Sequence, residues 1–342
     1  MKAFVMAAGA GTRLRPLTYE IPKPMVPVVN KPVLEHVLEN LKKHGINEVI
    51  LNLHYCPGTI KEHFQNGSLL GINIKYSFEK KLLGTAGGVK KMEDYFDSTF
   101  VVMSGDGLTD INLSKALKFH RMKKALGTMV LKAIDSKFEY GVTLTDNSGK
   151  IKKFIEKPKW SDVFANTVNT GIYIFEPEIF RYIPKNKLYD FGFQVWPDLL
   201  KKGKRIFGYV TEDYWTDVGN IKEYRRGVRD ALEGKIRLNI PGKQIKPGVW
   251  IGEGTRIEKG AKLYAPCVIG SNCFIGKNAV IDRYTTVGDF SKIDKEAVIK
   301  NSILWENVKV AKNVRLENCV IGYKAEVSED ISVFEGTVLN ID

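Results

Sequence analysis

The stretch MAAGAGTRLRPLT, residues 6–18, follows directly on the short apolar run at residues 2–5. The apolar run predicts a β-strand, and the two glycines after it predict a tight turn at the end of that strand. Two arginines follow the glycines within four residues. A strand, a glycine turn and basic side chains in this order indicate a loop that holds an anionic group.

Two common phosphate-binding patterns do not fit this turn. A Walker A loop needs Lys-Ser/Thr after its last glycine, where Thr12-Arg13 stands, and the dinucleotide fingerprint needs Gly or Ala at position 14, where Leu14 stands. For the glycines alone, a turn without a ligand stays open. The continuation favours a ligand, because Arg13, Arg15 and Lys23 alternate with three prolines that stiffen the loop. A bidentate arginine fork and a lysine point charge together suit a triphosphate.

The positive charge of the chain is unevenly distributed. The net charge is +13, yet residues 245–342 contain 10 Lys and 3 Arg against 5 Asp and 8 Glu, so that segment is neutral. The whole excess therefore lies in residues 1–244, where it attracts anionic ligands. Nucleotide phosphates and nucleic acid are both candidates on charge alone, and a basic surface without a ligand is the alternative. Because no run of basic and aromatic residues appears, a nucleic-acid partner is not expected.

The first 240 residues or so alternate between strand and helix patterns. Strands are predicted at residues 2–8, 48–54 and 100–103, and residues 32–44 place five aliphatic side chains on one helical face. This alternation predicts a mostly parallel sheet covered by helices. Ligands of such sheets bind beyond the carboxyl ends of the strands.

The last hundred residues have a different period, because an aliphatic residue recurs every six positions from residue 245 onward. The register slips by one residue after Ile299 and again after Leu316. This repeat predicts a parallel β-helix in which each repeat turns one aliphatic side chain inward. The predicted domains are therefore residues 1–238 and residues 245–342, with a helix at about 220–233 before the junction. The aliphatic positions are Ile245, Ile251, Ile257, Leu263, Ile269, Ile275, Ile281, Val287, Ile293, Ile299, Leu304, Val310, Leu316, Ile321, Val327, Val333 and Leu339.

Eight segments of the chain together resemble one enzyme family. GAGTRLRPLT with IPKPMVPVVNKP is similar to the signature of the sugar-1-phosphate nucleotidylyltransferases. The family's shorter motifs follow in its order: LGTAGG (83–88), SGDG (104–107), EYGV (139–142), EKP (156–158), NTGIY (169–173) and YWTDVGN (214–220). The resemblance implies a Rossmann-like α/β nucleotidyltransferase domain with a mixed, mostly parallel sheet, followed by a left-handed parallel β-helix of hexapeptide repeats. Within the family, RLRPLT and PKPMVPV look most like the mannose-1-phosphate guanylyltransferases.

The resemblance also implies a reaction. The phosphate of a sugar 1-phosphate attacks the α-phosphorus of a nucleoside triphosphate, and pyrophosphate leaves. GTP and mannose 1-phosphate are the expected substrates, and thymidylyl, uridylyl or adenylyl transfer to glucose 1-phosphate is the alternative. A non-catalytic regulatory subunit that binds sugar nucleotide is an alternative of another class. A glycosyltransferase is disfavoured, because its usual Asp-x-Asp is replaced by Asp106-Gly107-Leu108.

Roles for individual residues follow from the same resemblance. Arg13 and Lys23 are expected to stabilise the transition state, and Asp106 and Asp217 to bind Mg²⁺. Alone, Asp106 reads as a turn residue and Asp217 as a helix cap. The expected nucleotide-binding residues are Ala8, Gly9, Ala10, Gly11, Thr12, Arg13, Gly84, Thr85, Gly87 and Asp106. The expected sugar-phosphate-binding residues are Gly141, Glu156, Lys157, Asn169, Thr170 and Gly171.

Several absences in the sequence narrow the function further. The four cysteines form no CxxC pair, no segment approaches the ~20 apolar residues of a membrane helix, and the start of the chain does not resemble a signal peptide. A cytoplasmic protein without a membrane partner is expected. Residues 121–342 contain no histidine, which argues against the acyl transfer that many hexapeptide β-helices perform. The β-helix is instead expected to build a homo-oligomer.

Overall fold

A computed structural model describes residues 1–134 and 140–339, and it divides into two compact units. Unit 1 comprises Met1–Gly11, Glu20–Met25 and Leu34–Asp217, and unit 2 comprises Thr12–Tyr19, Val26–Val33 and the chain from Val218 onward. The signature loop is therefore shared between the units. Glu139, the first residue of the EYGV motif, and residues 340–342 of the predicted second domain lie outside the described residues.

Six α-helices are described. They are α1 (Val33–Lys43), α2 (Pro57–Phe64), α3 (Gly84–Lys90), α4 (Leu113–Met122), α5 (Trp196–Lys201) and α6 (Ile221–Leu232). The five aliphatic side chains predicted on one face of α1 are all fully buried, as expected for a helix that covers a sheet. Asn220 caps α6 by accepting a hydrogen bond from the backbone N–H of Glu223, so Asp217 is not the cap of this helix.

The strands before the repeats are β1 (Lys2–Met6), β2 (Pro27–Val28), β3 (Lys31–Pro32), β4 (Glu48–Leu53), β5 (Asn73–Phe78), β6 (Phe100–Ser104), β7 (Gly107–Thr109), β8 (Gly127–Ala133), β9 (Val142–Thr145), β10 (Ile151–Ile155), β11 (Thr167–Phe175), β12 (Ile206–Thr211) and β13 (Trp215–Asp217). Nine of them form the sheet of unit 1, with the order β10-β9-β11-β6-β1-β4-β5; β8 pairs with β11, and β12 pairs with β8. The sheet is mixed, as predicted, but it is not mostly parallel, because four of its strand pairings are parallel and four are antiparallel.

The parallel part of the sheet positions the site. β1 lies between β4 and β6 and is parallel to both, and β5 continues the parallel set beyond β4. β11 is antiparallel to β6, β8 and β9, so the sheet changes direction at β6. An aromatic core that includes Phe100, Phe175 and Trp196 packs on this part of the sheet. Because β1, β4, β5 and β6 all end at the same edge, the segments that follow them lie near one another.

The repeats form a parallel β-helix in unit 2. Its strands are β14 (Lys243–Lys246), β15 (Val249–Ile251), β16 (Arg256–Ile257), β17 (Lys262–Leu263), β18 (Cys267–Ile269), β19 (Phe274–Ile275), β20 (Val280–Ile281), β21 (Thr285–Val287), β22 (Lys292–Ile293), β23 (Val298–Lys300), β24 (Ile303–Leu304), β25 (Lys309–Val310), β26 (Arg315–Glu317), β27 (Val320–Ile321), β28 (Glu326–Val327), β29 (Ser332–Phe334) and β30 (Thr337–Val338). From β15 onward, each strand pairs in parallel with the strand three places later in the chain. This pairing gives three sheets around one core, consistent with a left-handed β-helix.

Two positions of the predicted repeat are exposed rather than buried. Ile245 is 53% exposed and Ile257 is 37% exposed. Ile245 lies in β14, which pairs antiparallel with β15 and so stands outside the stack of coils. Ile257 lies in β16, the first strand of its sheet, where no earlier coil covers it. A strict six-residue period predicts an inward side chain at every repeat, but burial of that side chain also requires a neighbouring coil.

The two register slips are short corners of the β-helix. In the early coils, stacked residues such as Ser271 and Asp289 are 18 positions apart. In the later coils, stacked pairs such as Asn301 and Asn318 are 17 positions apart. One five-residue corner replaces a six-residue corner in each later coil, so the stacking continues without a break, as the sequence predicted.

The cysteines and histidines do not form a reactive cluster. All four cysteines lie within the described residues and are free thiols, and burial raises the pKa of Cys267 and of Cys273 to about 11. The buried His120 contacts Thr128 and Glu176. None of the helices in residues 1–134 and 140–339 is long and apolar enough to cross a membrane.

A chain of hydrogen bonds joins distant segments inside unit 2. The indole N–H of Trp305 donates to the hydroxyl of Tyr224, and that hydroxyl donates to the carbonyl of Pro27, at 2.9 and 2.6 Å. The amide of Asn30 also donates to the carbonyl of Val287 at 2.7 Å. Both Trp305 and Tyr224 are buried. Part of the signature loop is thus held by β-helix residues of the same unit.

Replacing Trp305 with phenylalanine is expected to lower the free energy of unfolding by about 1–3 kcal/mol, because it leaves the buried hydroxyl of Tyr224 without its donor. Urea denaturation measures this change. Trp160→Phe is the matched control, since Trp160 is 75% exposed. An equal effect of the two substitutions would contradict a stabilising role for the Trp305–Tyr224–Pro27 chain.

Candidate active site

Two segments with predicted roles start from neighbouring strand ends in unit 1. Met6 at the end of β1 is paired in register with Ser104 at the end of β6, and the N–H of Gly105 donates to the carbonyl of Met6 at 2.9 Å. The glycine turn at residues 9–11 follows β1, and Asp106 follows β6. The parallel pairing of two central strands therefore brings the predicted phosphate loop and a predicted metal ligand to one edge of the sheet.

A short antiparallel pair of strands places Asp217 near Asp106. β7 begins directly after Asp106 and pairs antiparallel with β13, so that Asp217 stands opposite Gly107. The far end of this strand pair is held by Asp110, whose carboxylate accepts the N–H of Tyr214 at 3.0 Å. Two carboxylates that are distant in sequence thus become neighbours because both flank the same pair of strands.

The ammonium group of Lys23 lies between these two carboxylates. Its Nζ is 2.5 Å from Oδ2 of Asp106 and 2.6 Å from Oδ1 of Asp217, and the Lys23 residue is only 7% exposed. Burial disfavours the charge of Lys23, but the two carboxylates outweigh burial and hold its pKa above the usual value. Burial likewise opposes the charge of Asp106, yet Lys23 outweighs it and holds the pKa of Asp106 below its usual range. Lys23 and Asp106 are therefore both charged at neutral pH.

The donor set of this cluster fits Mg²⁺. The carboxylates of Asp106 and Asp217 point at one common position, which the Lys23 ammonium occupies as a cation. Mg²⁺ is often held by one or two carboxylates, with phosphate and water oxygens completing its octahedron. Residues 1–134 and 140–339 contain no group of three or more acidic, His or Cys side chains placed to hold a metal. The remaining ligands of such a site would be water and substrate oxygens.

Glycine is required at position 11 by the approach of Lys23. Gly11 has φ +61°, and a Cβ there would lie 2.6 Å from Cβ of Lys23. At Gly9, by contrast, a Cβ would meet nothing within 4 Å. Ala8 is buried and Ala10 is half-buried. The turn therefore brings Lys23 close to its own backbone and leaves open space on the side of Gly9.

The LGTAGG segment is held by a segment that the sequence analysis missed. Thr85 donates to Asp190 from its backbone N–H and from its hydroxyl, at 2.9 and 3.0 Å, and the N–H groups of Ala86 and Gly87 donate to the carbonyl of Tyr189. A Cβ at Gly84 or Gly87 would lie 2.6 Å from backbone carbonyl oxygens of residues 187–190. These glycines are thus explained by close backbone packing.

Glu156 carries an unsatisfied carboxylate oxygen. Its Oε2 is buried and has no hydrogen-bond partner among the residues that the structure describes. A Cβ at Gly141 or Gly192 would lie within 2.5 Å of this oxygen, so the carboxylate fits only because both neighbours are glycine. Burial raises the pKa of Glu156, with Lys157 opposing and Asp190 adding to the increase. A buried oxygen of this kind calls for a donor such as a hydroxyl group.

The NTG motif forms a bulge in β11. The pairing of β11 with β8 shifts between Asn169 and Tyr173, and Gly171 takes φ +74°. Asn169 holds the bulge by accepting the N–H of Gly171 and donating to the hydroxyl of Tyr173, both at 2.9 Å. Thr170 points into the sheet, where its hydroxyl donates to the carbonyl of Val130. A Cβ at Gly171 would lie 3.4 Å from Cβ of Ser104, so the bulge lies beside the strand end that precedes Asp106.

Comparison with known families shows which family the chain belongs to. The family model described as nucleotidyl transferase matches residues 2–234, and the model described as GMPPB C-terminal domain matches residues 245–342. The chain belongs to the sugar-1-phosphate nucleotidylyltransferase family. The Lys23–Asp106–Asp217 cluster lies within the part of the chain that matches the nucleotidyl transferase model.

Individual relatives of this nucleotidylyltransferase have different named substrates. A UTP–glucose-1-phosphate uridylyltransferase of Synechocystis is 41% identical over 73% of this chain and 68% of its own length. A mannose-1-phosphate guanylyltransferase of Mycobacterium tuberculosis is 36% identical over 68% of this chain and 65% of its own length. A Bacillus anthracis structure assigned as a glucose-1-phosphate thymidylyltransferase shares the fold, with a TM-score of 0.63 at 24% identity over 70% of this chain and 97% of its own.

The structure brings some of the predicted site residues into direct contact and leaves others apart. Lys23, Asp106 and Asp217 are in direct contact in unit 1, and Gly141 lies against Glu156. Thr12 and Arg13 belong to unit 2, where Thr12–Leu14 forms one 3-10 turn. Lys157 is exposed and has φ +45°. Residues 187–192 were missed because backbone carbonyls, one aspartate and one glycine give no distinctive side-chain pattern in the sequence.

Proposed function

We propose that this nucleotidylyltransferase transfers a guanylyl group from GTP to mannose 1-phosphate, giving GDP-mannose and pyrophosphate. The observation that carries the reaction class is the convergence of Asp106 and Asp217 on Lys23 at the ends of β1 and β6. Two half-buried carboxylates that converge on one position, beside a glycine turn, form an arrangement suited to a metal-bound triphosphate.

In this proposal, the protein mainly positions two anions and neutralises their charge. An oxygen of the sugar phosphate forms a bond to the α-phosphorus, the bond from that phosphorus to the bridging oxygen breaks, and its electron pair leaves with pyrophosphate. Asp106 and Asp217 would hold Mg²⁺, which when bound offsets charge on the α-phosphate and the leaving pyrophosphate. Lys23 and Arg13 would supply further positive charge, and the turn at Ala8–Gly11 would offer backbone N–H groups to the phosphates.

The sugar phosphate would bind near Glu156. The unsatisfied Oε2 of Glu156 accepts a sugar hydroxyl in this proposal, and Lys157 holds the phosphate. The bulge at Asn169–Gly171 would let the sugar approach the backbone closely, since Gly171 has no side chain. Asn169 and Thr170 are engaged in holding the bulge, so we expect their contribution to be backbone contact rather than side-chain contact.

The choice of GTP and mannose 1-phosphate rests on the residues of the signature and on sequence similarity to named relatives. The match of residues 245–342 to the GMPPB C-terminal model and the 36% identity to a named mannose-1-phosphate guanylyltransferase support it. Glucose 1-phosphate with UTP is the second candidate, supported by the 41% identical uridylyltransferase. The presence of Lys23, Asp106 and Asp217 in one cluster speaks against a non-catalytic regulatory subunit.

A pyrophosphate-release assay with GTP, UTP, dTTP and ATP, each with mannose 1-phosphate and with glucose 1-phosphate, tests the proposal. We expect Mg²⁺-dependent release, with the highest kcat/KM for GTP and mannose 1-phosphate. A higher kcat/KM for UTP and glucose 1-phosphate would replace the guanylyl assignment while keeping the reaction class. Absence of turnover with all eight pairs would support the regulatory alternative.

The domain division near residue 238 and the homo-oligomer formed by the β-helix stay predictions.

A further inference from the structure

A buried hydrogen-bond relay runs beneath the ends of β1, β4 and β5 in unit 1. The backbone N–H of Ala7 donates to Oδ1 of Asn52 at 2.7 Å, and Nδ2 of Asn52 donates to Oε1 of Glu79 at 2.8 Å. The backbone N–H of Leu83 donates to Oε2 of Glu79 at 2.9 Å. Asn52 is 4% exposed and Glu79 is 1% exposed. None of these side chains has a role in the reaction proposed above.

The groups at the two ends of the relay determine which donors and acceptors can stand between them. Both ends are backbone N–H groups, which can only donate. Asn52 accepts from Ala7 with its oxygen and must therefore donate with its nitrogen. The next group then has to accept from Asn52 and from Leu83 at once, and a carboxylate with two acceptor oxygens meets this demand where an amide does not. Glutamate at position 79 is thus specified by hydrogen-bond polarity.

The ends of the relay adjoin the two segments predicted to bind nucleotide. Ala7 immediately precedes the turn at residues 8–11, and Leu83 immediately precedes Gly84 and Thr85. β1, β4 and β5 are consecutive parallel strands, so the relay crosses the sheet edge from one segment to the other. The link matters because a displacement of either segment moves backbone groups expected to contact the same nucleotide.

Gly88 leaves the space in which the relay fits. A Cβ at Gly88 would lie 2.5 Å from Oε1 of Glu79 and 3.1 Å from Nδ2 of Asn52. Gly88 lies within α3, where alanine is otherwise the better helix former. The second glycine of AGG is therefore accounted for by the relay rather than by its own backbone conformation.

We propose that Asn52 and Glu79 are positioning residues that fix the turn at residues 8–11 relative to the Gly84–Gly87 segment for binding of the nucleoside triphosphate. This inference rests on the proposed function, since it takes both segments as nucleotide-binding. The side chains do not touch the substrate; they act through the backbone of Ala7 and Leu83.

The decisive experiment exchanges the two functional groups. Glu79→Gln places an amide donor against the donor of Asn52, and Asn52→Asp places two carboxylates together. The double variant N52D/E79Q restores every bond, because the aspartate accepts from Ala7 and from the glutamine, whose oxygen accepts from Leu83. With the nucleoside triphosphate that the wild type uses best, each single variant is expected to raise its KM about 10- to 100-fold, and the double variant to return it to within about threefold. The KM of the sugar 1-phosphate should change little.

Thr128→Val is the matched control. Thr128 is fully buried in the same sheet and hydrogen-bonds to His120, away from both segments. It should lower the midpoint of thermal unfolding without raising the KM of the nucleotide. An equal rise of both KM values in the single variants, or no recovery in the double variant, would overturn the positioning role.

Amide hydrogen exchange separates this inference from the substrate assignment. Peptides covering residues 6–14 and 82–90 should exchange faster in each single variant of the full chain and regain protection in the double variant, whatever substrates the enzyme prefers. Unchanged exchange in both peptides would refute the relay even if GTP and mannose 1-phosphate prove correct. Restored protection of both peptides in the double variant would support the relay even if that substrate pair proves wrong.

Discussion

Replacing Asp106 or Asp217 with asparagine is expected to lower turnover at least about 10²-fold while the protein stays folded. Each substitution keeps the side-chain shape but replaces a charged oxygen with a neutral amide at the point where both carboxylates converge. The fold should persist, because Lys23 keeps the other carboxylate as a partner at 2.5 or 2.6 Å. Steady-state pyrophosphate release at saturating Mg²⁺ measures the loss.

Asp162→Asn is the matched control for these two variants, since Asp162 is an exposed carboxylate in a short 3-10 turn of the same unit. It should leave turnover unchanged. Circular dichroism of each variant establishes that the fold is retained. Wild-type turnover in D106N or D217N would remove that residue from the proposed metal site.

Replacing Lys23 with methionine is expected to have opposite effects on activity and on the response to Mg²⁺. Turnover should fall about 10²–10³-fold, because the loop loses its charge beside the reacting phosphates. In EDTA, the free energy of unfolding should fall by about 3–5 kcal/mol, because removal of the buried ammonium leaves two half-buried carboxylates facing each other without a cation. Mg²⁺ should restore more stability to K23M than to the wild type, since no ammonium competes with the metal.

Thermal unfolding with and without Mg²⁺ measures this response, and Lys90→Met is its control. Lys90 is 8% exposed and pairs with Glu93 at 2.5 Å, so it matches Lys23 in burial and in ion pairing. K90M should lose stability that Mg²⁺ does not restore. If Mg²⁺ stabilises K23M no more than it stabilises the wild type, Asp106 and Asp217 do not form the metal site.

Much of the architecture could be predicted from local pattern. The strands that begin at residues 2, 48 and 100 and the helices at residues 33 and 221 all form where the hydrophobic periodicity indicated. The six-residue repeat and both slips reappear as parallel coils with shorter later corners. These predictions succeed because side-chain period and coil length are properties of consecutive residues.

The site was predictable as a set of segments but not as a set of contacts. The family resemblance supplied Lys23, Asp106, Asp217 and Glu156, but no pattern indicated that Lys23 would bridge both aspartates. Asp190 and Gly192 were missed, since they act on Thr85 and Glu156 across long sequence separations. Asn52 and Glu79 also went unnoticed, because polar residues at strand ends are common and their pairing appears only when β1, β4 and β5 lie side by side.

By itself, the sequence determined the order of elements, the two periods and the chemical groups available to the site. Tertiary structure decided which of those groups meet. The parallel pairing of β1 with β6 and the ladder of β7 with β13 place two carboxylates around one ammonium. The stacking of coils decided which aliphatic positions of the repeat are buried, and it leaves Ile257 exposed in the first strand of its sheet. The physical reason is the same in each case: charge pairing and burial depend on neighbours brought close in space, which a local pattern does not record.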